Sequence, residues 1–111
     1  MSEFVMLFRG DQPLQSADQM QQQMQRWGEW MKELKEKGYF KGGQPLERGG
    51  HVVNRQKVVT DGPYAEAKDL IGGFMLIEVK DLEQASEVAK GCPIFSTGGF
   101  VEVRPVMKMN M

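Results

Sequence analysis

The stretch 60–74, TDGPYAEAKDLIGGF, contains four charged residues together with two groups of turn-forming residues. Asp61-Gly62-Pro63 predicts a turn, because Asp bonds nearby backbone, Gly tolerates positive φ and Pro fixes its own φ. Gly72-Gly73 lets the chain approach other backbone closely before an apolar strand begins. We expect the polar side chains held between these two breaks to face one concavity: Asp61, Tyr64, Glu66 and Lys68.

Two strongly apolar segments, EFVMLFR at 3–9 and FMLIEV at 74–79, predict strands that are apolar on both faces. Phe4, Met6 and Phe8 would line one face of the first strand, with Val5 and Leu7 on the other. Two helices can cover only one face of a single sheet. We therefore expect a second copy of the chain to cover the other face, giving a homodimer. The alternative is that the second face of the sheet is partly exposed to water.

Two helices are predicted from their caps and periodicity. Ser16 and Gln19 have the spacing of a capping box, and Gly38 is a stop signal. The apolar residues between them follow one helical stripe: Met20, Met24, Trp27, Met31 and Leu34. Asp81 and Gln84 form a second cap, and that helix is expected to end at Gly91-Cys92-Pro93.

The remaining segments complete the predicted order of elements. Residues 51–54 and 57–60 flank Arg55-Gln56, a spacing that suits a tight hairpin. The segment 39–50 is rich in Gly and is predicted to be a loop with at most one short strand. A last strand is expected over 100–106. Strand, helix, strand pair, strand, helix and strand form a doubled β-α-β pattern, which predicts an α+β fold.

Length and composition restrict the class of protein. With 111 residues, the chain is expected to be one domain, 1–111. Fourteen Lys and Arg residues are interspersed with fifteen Asp and Glu residues, which argues against a nucleic-acid partner because phosphate binding needs a concentrated basic patch. No apolar run reaches the roughly 18 residues of a membrane span. No glycine-rich phosphate loop is present, so no organic cofactor is expected.

Cysteine and histidine usage gives two further expectations. The single cysteine, Cys92, cannot form an internal disulfide, which is typical of a reducing compartment. The N-terminus lacks the features of a secretory signal, so we expect a cytoplasmic protein. One Cys and one His are too few for a structural zinc site, and no metal is predicted.

Several motifs taken together resemble the YCII-related family, in its DGPF-domain branch. They are Asp61-Gly-Pro-Tyr64, with Tyr where the branch usually has Phe, then Gly72-Gly-Phe74 and Val101-Glu-Val-Arg-Pro-Val106. The resemblance spans nearly the whole chain. It implies a ferredoxin-like βαββαβ fold with an antiparallel sheet that pairs into a dimeric α/β barrel. It implies no settled activity, because this branch is largely uncharacterised.

Broader YCII-like proteins are thought to carry a His and Asp pair suited to acid/base work. The only histidine here, His51, opens the predicted hairpin and does not align with that histidine. His51 is expected at an exposed strand end, with a catalytic role as the alternative.

Five residues are predicted to bind a ligand: Trp30, Asp61, Tyr64, Glu66 and Arg104. Each has a structural alternative. Trp30 could equally pack in the core, since aromatics at helical spacing usually do. Asp61 could be a general base or only cap its turn. Glu66 could be a site residue or a salt-bridge partner. Arg104 could bind an anionic ligand or, on a face covered by a partner chain, pair with Glu66 or Asp61.

Two functions are compatible with these residues. The first is a small-molecule site between sheet and helices, in which Asp61 and Glu66 could transfer protons on a modest organic acid or lactone-like substrate. The second is a non-catalytic binding or regulatory module, since members of the resembled branch are often associated with sigma-factor systems. A concave pocket would favour the first function, and a filled interior would favour the second.

Overall fold

The protein is built on one four-stranded antiparallel sheet. The computed structural model describes residues 1–10, 16–62 and 69–109. The sheet has the order β2–β5–β1–β6. Its strands are β1 (Ser2–Arg9), β2 (Phe40–Pro45), β5 (Ile71–Val79) and β6 (Phe100–Pro105). Two α-helices connect them, α1 (Ala17–Glu36) and α2 (Leu82–Ala89). This order, with β1 and β5 in the middle, is that of a ferredoxin-like α+β fold and confirms the predicted fold class.

The helices pack on one face of the sheet, which holds the core. Alternate residues of the two central strands point into this face: Phe4, Met6, Phe8, Met75, Ile77 and Val79, all less than 9% exposed. Trp30 and Leu34 of α1, the two alanines of α2, and Cys92 and Ile94 after α2 complete the cluster. The predicted grouping of Phe4, Met6 and Phe8 on one face of β1 is thereby confirmed, and the structure shows that this face lies under the helices.

Both predicted helix starts are confirmed. The Ser16 side chain accepts a hydrogen bond from the Gln19 backbone N–H (3.1 Å), and Asp81 accepts one from Gln84 N–H (2.8 Å). Each bond satisfies one of the N–H groups that a helix N-terminus leaves without an intrahelical partner. The first helix stops before Gly38, which adopts φ 77°, a left-handed conformation that glycine accommodates without strain.

The strand pairing near the middle of the chain differs from the prediction. The segment 39–50 contributes β2, an edge strand of the main sheet, within the one short strand allowed for it. The predicted hairpin forms a separate two-stranded sheet of β3 (Gly50–Val53) and β4 (Val59–Gly62). In the sequence, this hairpin lies between β2 and β5, and those two strands pair with each other in the main sheet.

The hairpin turn is also longer than the predicted pair Arg55-Gln56. Asn54 organises it, since its side-chain oxygen accepts hydrogen bonds from Gln56 N–H (2.9 Å) and Val58 N–H (3.0 Å). Lys57 takes the left-handed conformation at φ 66°. A two-residue turn would need residues suited to positive φ at both central positions, and Arg-Gln supplies neither.

Neither of the two described helices lies on the opposite face of the sheet. Val5, Leu7, Phe74 and Leu76 lie at its centre and are half-buried. Charged side chains of β1 and β6 surround them, including an ion pair between Arg9 and Glu102 (2.9 Å). We call this surface the outer face.

Within the described residues, no helix is long and apolar enough to cross a membrane.

Candidate functional site

A cavity of about 440 Å³ lies between α1 and the strands β2 and β5. Its lining includes the following residues: Phe8, Met24, Trp27, Gly28, Met31, Phe40, Gly43, Gly73, Met75 and Ile94. None of the described lining residues is ionisable, and Gln44 is the only one with a polar side chain. An apolar ligand can therefore bind in this cavity without removing a charged side chain of the described lining from water.

Aromatic rings form one wall of this cavity. The ring of Phe8 lies edge-on to Trp27, with centroids 4.9 Å apart and planes at 84°. Trp27 in turn lies edge-on to Trp30 at 5.6 Å and 77°. Such edge-to-face contacts fix the rings relative to one another, and each is worth roughly 1 kcal/mol beyond its buried area. The wall is thus preformed, whereas the methionines facing it are adaptable.

Glycine opens this cavity on the helix side. Gly28 lies in the middle of α1, and a Cβ built at this position would meet no atom within 4 Å. A glycine inside a helix can admit a close neighbour or can simply be a tolerated weak point. Among residues 1–10, 16–62 and 69–109, no close neighbour occupies the space over this position.

Glycine also brings the strands close together at the other wall. A Cβ at Gly43 would clash with the Phe74 carbonyl oxygen and lie 2.9 Å from Met75 Cα. The pairing of β1 with β5 shifts register beside Gly73, and that of β2 with β5 shifts at Lys41. Bulges of this kind bend strands and are frequent next to binding sites.

A second, open cleft of about 470 Å³ lies between α1 and the segment after α2. Trp30, Arg26, Glu29, Lys90 and Ser96 are among its lining residues. Trp30 itself is only 7% exposed and belongs to the core cluster. Its residual surface thus borders this second cleft, while Trp27 lines the apolar cavity.

The other predicted site residues are not gathered around the cavity within the described part of the chain. Asp61 lies on β4, fully exposed, and is the cross-strand partner of His51, whose Nε2 is 3.9 Å from Asp61 Oδ1. Arg104 is exposed on β6 opposite Val5, on the outer face. Tyr64 and Glu66, like Lys68, lie outside the described residues.

The ion pair expected for Arg104 does not form with Asp61 inside the protomer. Glu102, which shares its face, pairs instead with Arg9. Among residues 1–10, 16–62 and 69–109, no carboxylate lies within ion-pair distance of Arg104. The same ranges contain no group of three or more His, Cys, Asp or Glu residues arranged to hold a metal ion.

The family follows from a match along almost the whole chain. The model of the YCII-related domain matches residues 3–110, from the first strand to the C-terminal tail. The chain belongs to the YCII-related domain family. The predicted family membership is thereby confirmed.

One solved structure has a similar fold to this YCII-related protein. It is 5-chloro-2-hydroxyhydroquinone dehydrochlorinase (TftG) from Burkholderia phenoliruptrix AC1100, in complex with 2,5-dihydroxybenzoquinone. The TM-score is 0.58 at 19% identity, over 97% of this chain and 95% of that one. At this identity the similarity establishes the fold alone. Among curated proteins, none matches the chain.

Sequence reasoning did not identify the residues that line the apolar cavity of this YCII-related protein. Met24, Trp27 and Met31 were predicted as the buried stripe of α1, yet Met24 is 73% exposed at the cavity. One signal was available: the glycine at position 28 interrupts an otherwise regular helix and costs about 1 kcal/mol relative to Ala. A helix that carries this cost without a close neighbour leaves space beside it.

Proposed function

We propose that this YCII-related protein binds a small, mainly apolar organic molecule in the cavity between α1 and strands β2 and β5. The observation that supports the proposal is the cavity itself, about 440 Å³ with an apolar lining and a preformed aromatic wall. Ligand pockets typically occupy roughly 300–1,000 Å³. A filled interior, which a purely structural role would favour, is not what the described residues form.

The dimensions and lining favour a planar ring as the apolar part of the ligand. An apolar cavity of about 150 Å³ is large enough for benzene, so this one has room for a substituted ring. Phe8 and Trp27 offer ring edges and faces, and the nearby methionines can adjust to the ligand outline. The neighbour of similar fold is in complex with a dihydroxybenzoquinone, which makes small quinones and phenols suitable first probes.

Proton transfer by a carboxylate is the catalytic part of the proposal. Glu66 is the candidate acid/base group for this cavity, with Tyr64 as a further polar contact, whereas Asp61 on β4 and Arg104 on the outer face lie away from it. The support is sequence position: the stretch carrying Glu66 runs directly into Gly72-Gly73, which line the cavity. The described lining contains no ionisable group, so a ligand that changes its protonation there needs a group from elsewhere.

We also propose that the protein is a homodimer formed through the outer face. Val5, Leu7, Phe74 and Leu76 make this face apolar at its centre, and neither described helix covers it. Burying such a surface contributes roughly 25 cal/mol for each Å² removed from water. A second copy would cover the face with an equally apolar surface.

The test is a thermal-shift and tryptophan-fluorescence screen of small quinones, phenols and aromatic acids against the purified protein. A ligand that binds the folded state raises the melting temperature by mass action. Quenching of Trp27 emission would place the ligand in the cavity. The proposal is wrong if every hit binds equally well to Gly28→Leu, whose new side chain projects into the cavity.

A separate comparison tests the carboxylate of Glu66. Glu66→Gln should leave the melting temperature unchanged and reduce turnover or binding of a confirmed ligand. A lower melting temperature with unchanged binding would instead give Glu66 a structural role.

A further inference from the structure

The hairpin β3–β4 projects from the body of the protomer. The radius of gyration is 15.5 Å, whereas about 13 Å is expected for a compact chain of this length. Nearly every residue of the hairpin is exposed, with Val52 and Gly62 as the half-buried exceptions. A two-stranded hairpin is at best marginally stable by itself in water. Its strands therefore lack a packing partner within the described protomer.

One face of the hairpin has the composition of a contact surface. Val53 and Val59 are cross-strand partners and are 62% and 55% exposed. The next pair on the same face is His51 and Asp61, because side chains alternate between faces along a strand. This face thus presents two β-branched side chains beside a fully exposed carboxylate.

The outer face of the sheet offers the complementary features. Its centre is apolar, and Arg104 stands at its β6 border, exposed and without an ion-pair partner among the described residues. Arg104 and Asp61 therefore have opposite charge and lie beside apolar surface, and Asp61, although 3.9 Å from His51 Nε2, is fully exposed to a further partner.

The protomer's own hairpin is badly placed to reach Arg104. The hairpin joins β2 to β5 at the end of the sheet where β5 begins, and this end of β6 is Phe100. Arg104 lies four residues further along β6, which is about 13 Å from that end of the sheet. It also lies three strands away from β2, which is a lateral distance of about 14 Å. The contact is therefore easier to make between two chains than within one.

We propose that the hairpin of each protomer packs on the outer face of a second copy, with Asp61 paired to the partner's Arg104. The occupant of the outer face is another copy of this chain, and the inference rests on the proposed homodimer. A two-fold axis that brings the β2 edge of one protomer over the β6 edge of the other satisfies both contacts. The same arrangement covers the two strand edges that the protomer leaves unpaired.

A charge swap tests the pairing. Asp61→Arg and Arg104→Asp should each lower the association constant of the dimer at least about tenfold, because two symmetric contacts become repulsive. The double variant should return to within about threefold of the wild type. Sedimentation velocity over a dilution series measures these constants. Arg26→Asp, which reverses an exposed charge on α1, is the matched control and should leave association unchanged.

Cross-linking between differently tagged chains gives an independent readout. Chains carrying Asp61→Cys are mixed with chains carrying Arg104→Cys and treated with a short bismaleimide, so that the cross-link can only join two molecules. Cys92 is buried and does not compete. The expected product is a mixed dimer, whereas Arg26→Cys with Arg104→Cys should give none.

The outcomes separate the inference from the proposed dimer. Additive losses in the double variant, or the absence of a mixed cross-link in a protein that sediments as a dimer, overturn the hairpin contact and leave the dimer standing. A wild-type protein that sediments as a monomer overturns both.

Discussion

Replacing Gly28 should separate the stability of this protein from its capacity to bind a ligand. A glycine inside a helix costs about 0.8–1.0 kcal/mol relative to Ala. The Cβ of Gly28→Ala would meet no atom within 4 Å, so no steric term offsets the gain in helix propensity. We expect the free energy of unfolding to rise by about 0.8–1.0 kcal/mol, which raises the melting temperature by roughly 4 °C or slightly more.

Gly28→Leu should keep this gain and lose the ligand. Leu has nearly the helix propensity of Ala. Truncating a buried leucine leaves a cavity of about 150 Å³, so a leucine at position 28 should fill a similar volume. The volume that remains of the 440 Å³ cavity is then smaller than the roughly 300 Å³ of the smallest usual ligand pockets. Forcing a ligand into the remaining space should cost about 1–3 kcal/mol, so affinity should fall at least about tenfold.

The assay combines thermal denaturation with fluorescence titration of a confirmed ligand. Met20→Leu is the control, because Met20 lies on α1, is 53% exposed and does not line the cavity. It should change neither quantity. The reasoning is refuted by a Gly28→Ala protein that is less stable than the wild type, or by a Gly28→Leu protein that binds normally.

The remaining predictions concern packing. Gly43→Ala should lower the free energy of unfolding by about 2 kcal/mol or more, since its methyl group would overlap the backbone of β5, whereas Gly42→Ala, with open space around it, should be near neutral in urea denaturation. Gln23→Ala should cost about 1–3 kcal/mol, because this buried amide donates to a backbone carbonyl (2.8 Å) and accepts from a serine hydroxyl. The exposed neighbour Gln22→Ala is its control, and equal stability of the two variants would contradict the assignment. Cys92 is 4% exposed and should react with a thiol reagent only after unfolding; rapid labelling of the native protein would show otherwise.

The elements of the fold were predictable where local chemistry is strong. Ser16 and Asp81 cap their helices as predicted, because a side chain and a backbone N–H three residues away need no tertiary context. The alternation along β1 and β5 predicted correctly which residues share a face, and the structure shows that the face with Phe4, Met6 and Phe8 is the one under the helices.

Pairing between distant strands was not predictable in the same way. The hairpin at 50–62 has the signals of a strand pair, and nothing local indicates that it stands outside the main sheet. The segment 40–45, FKGGQP, contains two glycines and a proline, yet it is the strand that pairs with β5. Its edge position makes this possible, because an edge strand needs ladder hydrogen bonds on one side only.

The candidate site shows the same division. The sequence identified Asp61 and Arg104 as chemically distinctive, but the register of β6 against β1 places Arg104 on the outer face, whereas Asp61 lies on the separate β3–β4 sheet. The apolar cavity depends on where α1 lies over β2 and β5, and no single residue encodes that position.

The amino-acid sequence by itself determined the caps, the two apolar strands and the two-faced character of the sheet, because each depends on neighbours within a few residues. Only the tertiary structure decided that Gly28 opens a cavity, that Trp27 rather than Trp30 lines it, and that Asp61 and Arg104 do not meet in one protomer. Each of these depends on the distance between elements far apart in the chain. Those distances are set by the packing of the whole core.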